Sequence, residues 1–142
     1  IAAIAHSQAS MVHCPRSHDY FGHRSFPAKA MQDTGVNLCL GTDSLATMRD
    51  PDAKVELFSE LQLFRKKYPE WKNEDMIEMV TLNAARALGM HGQIGCVCPG
   101  ANADLIALPF DSEMNAVEEV VIEHRGPVTA VMIGGEWVEG IE

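Results

Sequence analysis

Basic residues are scarce in this sequence. Lysine and arginine together number 11 against 20 aspartates and glutamates, so the 142-residue chain carries a formal net charge of −9. Because binding to nucleic acid or to an anionic membrane needs a basic surface, this charge argues against both partners. With 46% hydrophobic residues and no run long enough to span a membrane, the chain can bury one ordinary core. We therefore expect a globular protein that acts on a small-molecule substrate or binds a protein partner.

Motifs of several common enzyme classes are also missing. The sequence contains no G-x-S-x-G nucleophile elbow, no phosphate-binding loop and no dinucleotide fingerprint. Cys96-Val97-Cys98 has no second cysteine pair at zinc spacing, which argues against a zinc site there. Cys14 and Cys39 fall within apolar runs, where a reduced, buried thiol is expected. These thiols indicate a reducing compartment, and we expect a cytoplasmic protein.

The chain has neither an initiator methionine nor a signal peptide. It opens on Ile1-Ala-Ala-Ile-Ala-His6, which is typical of the last turns of an apolar helix. We therefore expect this sequence to be a piece of a longer protein.

The first part of the sequence predicts a compact βαβ unit. Residues 10–14 form a short apolar run closed by a proline, which cannot donate into a sheet. Residues 16–26 are too polar and too aromatic for a tight turn and predict a functional loop. Residues 27–34, with proline first and glycine following, predict a short helix. Residues 36–40 predict a second strand, and because both runs are apolar on both faces, we expect two parallel, buried strands.

The second part predicts two helices and then a small β-rich segment. The helices are expected from about residue 52 to 67 and from an N-cap at Asn73 to Gly89. Strands are expected at residues 104–108, 128–133 and 136–138, the last two joined by a Gly134-Gly135 hairpin turn. Residues 116–124 have apolar side chains at mixed spacing, which leaves helix and extended structure both open.

Asp43 is the leading candidate for chemistry. It follows the second predicted strand in the run Gly41-Thr42-Asp43-Ser44, at the C-terminal edge of that strand. Ligands collect at this edge in α/β folds because the loops leaving it converge on one face. The alternative is an aspartate that only caps the following segment.

The 16–26 segment leaves the same edge of the predicted sheet. Its Arg16, Ser17 and His18 are expected to contact substrate, because such side chains bind polar rings by hydrogen bonding and stacking. Ser44 is a further candidate for substrate contact. His13 ends the first strand, where a substrate-binding histidine and a hydrogen-bonded core histidine are both open. His18 has a second possibility as well, that of a solvated loop residue.

Four ordered motifs carry a resemblance to a known family. They are V-H-C-P-R-S-H at residues 12–18, G-V-N-L-C-L-G-T-D-S at 35–44, T-L-N-A-A-R-A-L-G at 81–89 and I-G-C-V-C-P-G-A-N-A-D-L-I-A at 94–107. Together they resemble the C-terminal third of the amidohydrolase superfamily, in the branch with cytosine deaminase, guanine deaminase, adenosylhomocysteine deaminase and triazine chlorohydrolase. The sequence departs from the family pattern at His18, where the family often has Asn, and at Ala101, where Lys is usual.

The resemblance implies a fold. The chain would be the C-terminal part of an eight-stranded metal-dependent hydrolase (β/α)8 barrel, with residues 10–14 as strand seven and 38–42 as strand eight. Residues 1–90 would belong to the barrel, and residues 91–142 would form part of a small β-sandwich annex.

The resemblance also implies a chemistry. In the family, the aspartate at the position of Asp43 ligates a catalytic zinc or iron and accepts a proton from water. The other ligands of the family are histidines on strands one, five and six, which are not in this chain. We therefore expect the intact protein to be a homo-oligomeric deaminase, or related hydrolase, acting on a C–N bond of a purine- or pyrimidine-like ring. The fragment alone is expected to be inactive and to bind no metal. The alternative is a non-catalytic assembly domain derived from this fold.

Overall fold

The computed structural model of the chain describes residues 1–47, 54–110 and 117–138. Its helices are α1 (Ala2–His6), α2 (Pro15–Tyr20), α3 (Ala28–Asp33), α4 (Leu57–Lys67), α5 (Asn73–Val80), α6 (Leu82–Ala87) and α7 (Val117–Glu123). Its strands are β1 (Ser10–His13), β2 (Asn37–Leu40), β3 (Leu105–Ala107), β4 (Ala130–Ile133) and β5 (Glu136–Trp137). A 3-10 turn covers Leu45–Thr47.

Strands β1 and β2 form the parallel pair that the sequence predicts. Their register runs from Ser10 opposite Asn37 to His13 opposite Leu40. The connection between them contains α2 and α3, so this part of the chain is a βαβ unit. Leu38 and Leu40 are buried, with 4% and 5% of their surface exposed.

The expectation that β1 is buried on both faces is wrong for Val12, which is 53% exposed. Successive side chains of a strand point to opposite faces. His13 is buried and Met11 packs against the core, so Val12 faces the other way. The helices α3, α4, α5 and α6 all contact β2. In the part of the chain that the structure describes, no helix makes comparable contact with β1.

The core lies where α4 and α5 cover β2. Phe64 and Met76 are fully buried there, and Leu61 and Met79 pack beside them. Residues 117–123, for which the sequence leaves helix and extended structure open, form the helix α7. Ile122 of α7 joins this cluster and is also fully buried. Burying a side chain such as Phe64 stabilises the folded state by about 1.5–3 kcal/mol. This packing fixes the position of β2, from whose end the candidate site continues.

The segment predicted as a loop at 16–26 begins instead with a helix. Pro15 ends β1, as expected, but it also occupies the first turn of α2. Proline suits that position because its missing N–H would have no partner in the helix and its φ angle is already helical. The polar sequence of α2 has no apolar periodicity, so hydrophobic periodicity does not predict this helix.

The two long helices also begin or break where the sequence does not predict it. Helix α4 begins at Leu57; residues 54–56 are not helical, and the remaining predicted residues, 52 and 53, lie outside the described part. The carbonyl oxygens of Lys54 and Glu56 accept hydrogen bonds from the Arg16 guanidinium, which holds this segment extended. The second predicted helix is divided into α5 and α6 at Thr81 (φ −125°, ψ −92°).

The break at Thr81 has local and tertiary causes. The hydroxyl of Thr81 donates to the Ile77 carbonyl at 2.7 Å and closes α5. Beyond the break, the side-chain amide of Asn83 donates to the Leu38 carbonyl of β2 at 3.0 Å, and this bond sets the direction of α6. The predicted N-cap is also one residue off, because Lys72 holds that position and Asn73 begins the helix.

The last part of the chain forms a three-stranded antiparallel sheet in the order β3-β4-β5. Gly134 and Gly135, with φ angles of 58° and 87°, make the predicted hairpin turn between β4 and β5. In the described ranges, no helix combines the length and the apolar character that a membrane crossing requires.

Candidate active site

The candidate site begins where β2 ends. The Gly41 amide donates to the His13 carbonyl at 2.9 Å and continues the β1–β2 ladder by one residue. A side chain at Gly41 would collide with β1, since a Cβ there would lie 2.8 Å from Cγ1 of Val12 and 3.3 Å from Sγ of Cys14. Glycine therefore allows the two strand ends to approach closely just before Asp43.

Asp43 lies at the C-terminal edge of the sheet, as predicted, and is exposed. Its backbone is left-handed, with φ 56°, a conformation that Asp and Asn adopt more readily than most residues. Oδ2 accepts a hydrogen bond from the Ser17 hydroxyl at 2.6 Å. Ser17 is itself buried, with 5% of its surface exposed. The carboxylate is thus held by a residue of α2.

Helix α2 is held in turn by a buried ion pair with α4. Glu60 is fully buried, and its two oxygens accept from the backbone N–H of Arg16 at 2.9 Å and from its Nε at 2.7 Å. The rest of the Arg16 guanidinium binds the carbonyl oxygens of Lys54 and Glu56. The sequence predicts Arg16 as a substrate contact, whereas in the structure its guanidinium binds Glu60 and these carbonyls and so positions α2.

His13 lies beneath the candidate site in a stack of rings. Its imidazole is parallel to Phe26 at a centroid distance of 4.0 Å and meets the edge of His18 at 5.1 Å. Burial, with the nearby charges of His18 and Lys67, lowers the pKa of His13 from 6.5 to about 4. His13 is therefore a neutral ring at physiological pH.

His18 and Ser44 complete the set of predicted residues. His18 Nε2 lies 2.6 Å from the Arg24 carbonyl, and its ring meets that of His23 at 5.3 Å. Ser44 is exposed, and its carbonyl accepts from the hydroxyl of Thr47 at 2.8 Å in the 3-10 turn. The structure thus brings Ser17 directly to Asp43, and it places His18 with the histidines of its own segment.

Cys14, beside Asp43, is not arranged as a nucleophile. Burial raises the pKa of the Cys14 thiol above its ordinary value, and the negative charges of Asp43 and Glu60 raise it further. A catalytic cysteine needs the opposite surroundings, because the thiolate is the reactive form. The Cys14 thiol is therefore not the nucleophile at this edge.

The donor set fits a metal only in part. Among the described residues, no group of three or more His, Cys, Asp or Glu side chains is placed to hold an ion. Asp43 has an exposed carboxylate with Oδ2 bound to Ser17, while Oδ1 has no donor among the same residues. It fits as one ligand of a set that other segments would complete, since a catalytic site has about three protein ligands.

Sequence reasoning missed Glu60, although a signal for it exists. Glu60 lies on the face of α4 that carries Leu57, Leu61 and Phe64, so it is an acid within an apolar stripe at helical spacing. A buried acid needs a partner. The partner of Glu60 cannot be identified from the sequence because Arg16 is 44 residues away.

Comparisons with known proteins identify the family of this chain and several relatives. Residues 1–138 match the model of the Amidohydrolase family. A 5-methylthioadenosine/S-adenosylhomocysteine deaminase from Teredinibacter turnerae is 35% identical over 96% of this chain and 33% of its own length. One from Pyrococcus abyssi is 32% identical over 97% of this chain and 34% of its own length. The chain thus spans about a third of the length of these relatives.

Solved structures show the same relationship. An adenosine deaminase from Xanthomonas campestris with bound zinc has a TM-score of 0.81 and 30% identity, over 94% of this chain and 33% of that one. The guanine deaminase of E. coli has a TM-score of 0.77 over 96% of this chain and 35% of that one, but at 19% identity it supports the fold alone. Sequence and fold agree, and the chain belongs to the amidohydrolase family.

Proposed function

We propose that the intact protein is a metal-dependent hydrolase that removes the amino group of a purine-like ring, with an adenosine-type nucleoside as substrate. The observation that carries the proposal is the exposed carboxylate of Asp43, held by Ser17 at the C-terminal edge of β2. The substrate class is supported by relatives named as deaminases of 5-methylthioadenosine, S-adenosylhomocysteine and adenosine.

In this proposal, β1 and β2 are the seventh and eighth strands of a (β/α)8 barrel that other segments complete. Residues 1–90 belong to the barrel, and β3, β4 and β5 within residues 91–142 belong to a β-sandwich annex. We further propose a cytoplasmic homo-oligomer. The metal is zinc or iron, and zinc is supported by its presence in the adenosine deaminase from Xanthomonas campestris.

Asp43 has two tasks in this proposal. It is one ligand of the metal, which when bound lowers the pKa of water to about 7. Asp43 also accepts a proton from the attacking water and returns it to the departing nitrogen, as a carboxylate can do when it lies within hydrogen-bond reach of both. Ser17 keeps Oδ2 in a fixed direction during both transfers.

The neighbouring residues then have separate roles. Arg16 holds α2, and with it Ser17, through Glu60. His18 and Ser44 contact the substrate near Asp43. His13, neutral and stacked on an aromatic ring, forms the floor under His18.

The experiment is an Asp43→Asn substitution in the intact protein. We expect near-normal folding and a loss of ammonia release from adenosine-type nucleosides by several orders of magnitude, because the proton acceptor is lost while the side-chain size is kept. Asp33→Asn is the matched control, since Asp33 is an exposed aspartate on α3 that pairs with Lys29. Its activity is expected to equal that of the wild type.

Three results would contradict the proposal. Activity of the Asp43→Asn variant within about tenfold of the wild type would remove Asp43 as the base. Stoichiometric metal with no turnover of any amino-substituted purine would exclude the substrate class. An intact protein with neither bound metal nor hydrolysis would favour the non-catalytic assembly domain.

A further inference from the structure

Cys96 and Cys98 form a close thiol pair outside the candidate active site. Their sulfur atoms lie 2.9 Å apart, and both cysteines are free. Cys98 is exposed and Cys96 is partly exposed. In contrast, Cys39 is buried in β2 and Cys14 is half-buried between the strand ends. Only the first pair combines proximity with access to solvent.

The loop that carries the pair is fixed to the rest of the chain. The Asn102 amide donates to the Gln93 carbonyl at 2.7 Å, which closes the loop around both cysteines. Gly95, with φ 74°, lies so close to the α5–α6 break that a Cβ would be 2.6 Å from the Thr81 carbonyl oxygen. The approach of the two sulfur atoms therefore results from a defined loop conformation.

The distance between the sulfur atoms distinguishes zinc binding from disulfide formation by such a pair. Two thiolates that share a tetrahedral zinc, at about 2.3 Å from the metal, lie about 3.8 Å apart. The observed 2.9 Å is shorter than this and lies between a zinc-bound pair and a disulfide bond of about 2.05 Å. In the described residues there is also no group of three ligand-type side chains to complete a metal site. The geometry favours a covalent bond between the sulfurs.

We propose that Cys96 and Cys98 are a reversible thiol–disulfide site that reacts with small-molecule disulfides of the glutathione type. The thiolate of Cys98 attacks one sulfur of the small disulfide, forms a mixed disulfide and releases one small thiol. Cys96 then gives up its proton, attacks Sγ of Cys98 and releases the second small thiol. Two protein thiols are oxidised to one disulfide, and one small disulfide is reduced to two thiols.

The order of the steps follows from the surroundings of the two sulfurs. Cys98 is the more exposed of the two, so its thiolate is the one that attacks the small disulfide first. A hydrogen bond to Cys98 raises the pKa of the Cys96 thiol, so Cys96 stays protonated and acts second. Exposed disulfides in small rings are reduced more readily than buried structural ones, which makes the reaction reversible.

The test treats the intact protein with glutathione disulfide, alkylates it in the native state with iodoacetamide and digests it with trypsin. Residues 87–125 contain no lysine or arginine before Arg125 and no cysteines other than Cys96 and Cys98, so one peptide reports the pair. We expect this peptide to lose both alkylation marks and to regain both after dithiothreitol. The peptides with Cys14 and Cys39 serve as internal controls, and their marks are expected to be unchanged by glutathione disulfide.

A Cys96→Ser variant separates the two steps. Both positions lie in a solvent-accessible loop, so the substitution leaves folding intact. The variant is expected to accumulate one glutathionyl group on Cys98, because the second thiol is missing, whereas the wild type accumulates none. The proposal is overturned if both wild-type thiols remain open to alkylation, or if the wild type stops at the mixed disulfide. These readouts do not depend on hydrolase activity, so they succeed or fail separately from the proposed function.

Discussion

Removing Glu60 should destabilise the protein more than removing any exposed acid that also pairs with arginine. The side chain of Glu60 is 0% exposed and that of Arg16 is 18% exposed, so an alanine at 60 leaves a charged guanidinium largely buried without its counter-ion. Breaking a buried pair by deleting one partner costs about 3–5 kcal/mol. We therefore expect Glu60→Ala to lower the apparent melting temperature of the intact protein by roughly 3–6 °C, because the shift per kcal/mol falls with chain length and this chain is about a third of the length of its relatives.

Glu60→Gln should fall between the alanine variant and the wild type. Glutamine keeps the volume but offers one carbonyl oxygen, which can accept from either the backbone N–H or Nε of Arg16 and not from both. Its NH2 group then faces a donor, at a cost of about 1–3 kcal/mol. The expected order of stability is wild type, then Gln, then Ala.

Glu119→Gln is the matched control for this series. Glu119 binds Arg65 at 2.8 Å, but its side chain is 55% exposed. Exposed pairs of this kind contribute about 0–1 kcal/mol. Differential scanning calorimetry of the three variants measures the contrast. Equal losses for Glu60→Ala and Glu119→Gln would refute the reasoning that burial determines the strength of the first pair.

Three further predictions concern the candidate site. Ser17→Ala removes a charge-assisted hydrogen bond to Asp43, so steady-state kinetics should show turnover reduced by about 10–100-fold with KM little changed; unchanged turnover would show that Asp43 needs no anchor. His18→Ala should raise KM or lower turnover while metal analysis shows no loss; metal loss would instead make His18 a ligand. Because the pKa of His13 is lowered from 6.5 to about 4, the unfolded chain binds a proton in this range that the folded chain does not. Stability in urea should therefore fall as pH drops from about 6.5 to 4, and His13→Gln should lose that part of the fall.

The sequence predicts the β1–β2 unit well because its signals are local. Two short apolar runs with proline and glycine at their ends specify strands, and composition predicts the burial of Leu38 and Leu40 in β2 but not the exposure of Val12 in β1. The position of Asp43 could be predicted for the same reason, since a polar residue shortly after a buried parallel strand lies at the edge where ligands bind. The hydrogen bond from Ser17 to Asp43 is not among the sequence predictions, which place Ser17 only at the same edge of the sheet.

The features that the sequence does not predict depend on contacts between distant residues. The start of α4 is delayed because Arg16 binds the carbonyl oxygens of Lys54 and Glu56, about 40 residues away. The break at Thr81 accommodates the bond of Asn83 to β2, and no local propensity indicates that bond. Helix α2 forms although its sequence lacks periodicity, because Glu60 binds the backbone N–H of its second residue.

The backbone of Asp43 decides which substitution can test its chemistry. A left-handed residue other than glycine costs roughly 1 kcal/mol or more, and a charge-assisted bond of about 1.5–3 kcal/mol from Ser17 is large enough to offset it. Asp43→Ala would lose both the bond and the tolerance of this conformation, so its effect on rate would mix chemistry with structure. Asparagine is also enriched in the left-handed region, and its carbonyl oxygen can still accept from Ser17. Asp43→Asn therefore changes the charge while keeping the conformation, and the activity that it loses measures the carboxylate itself.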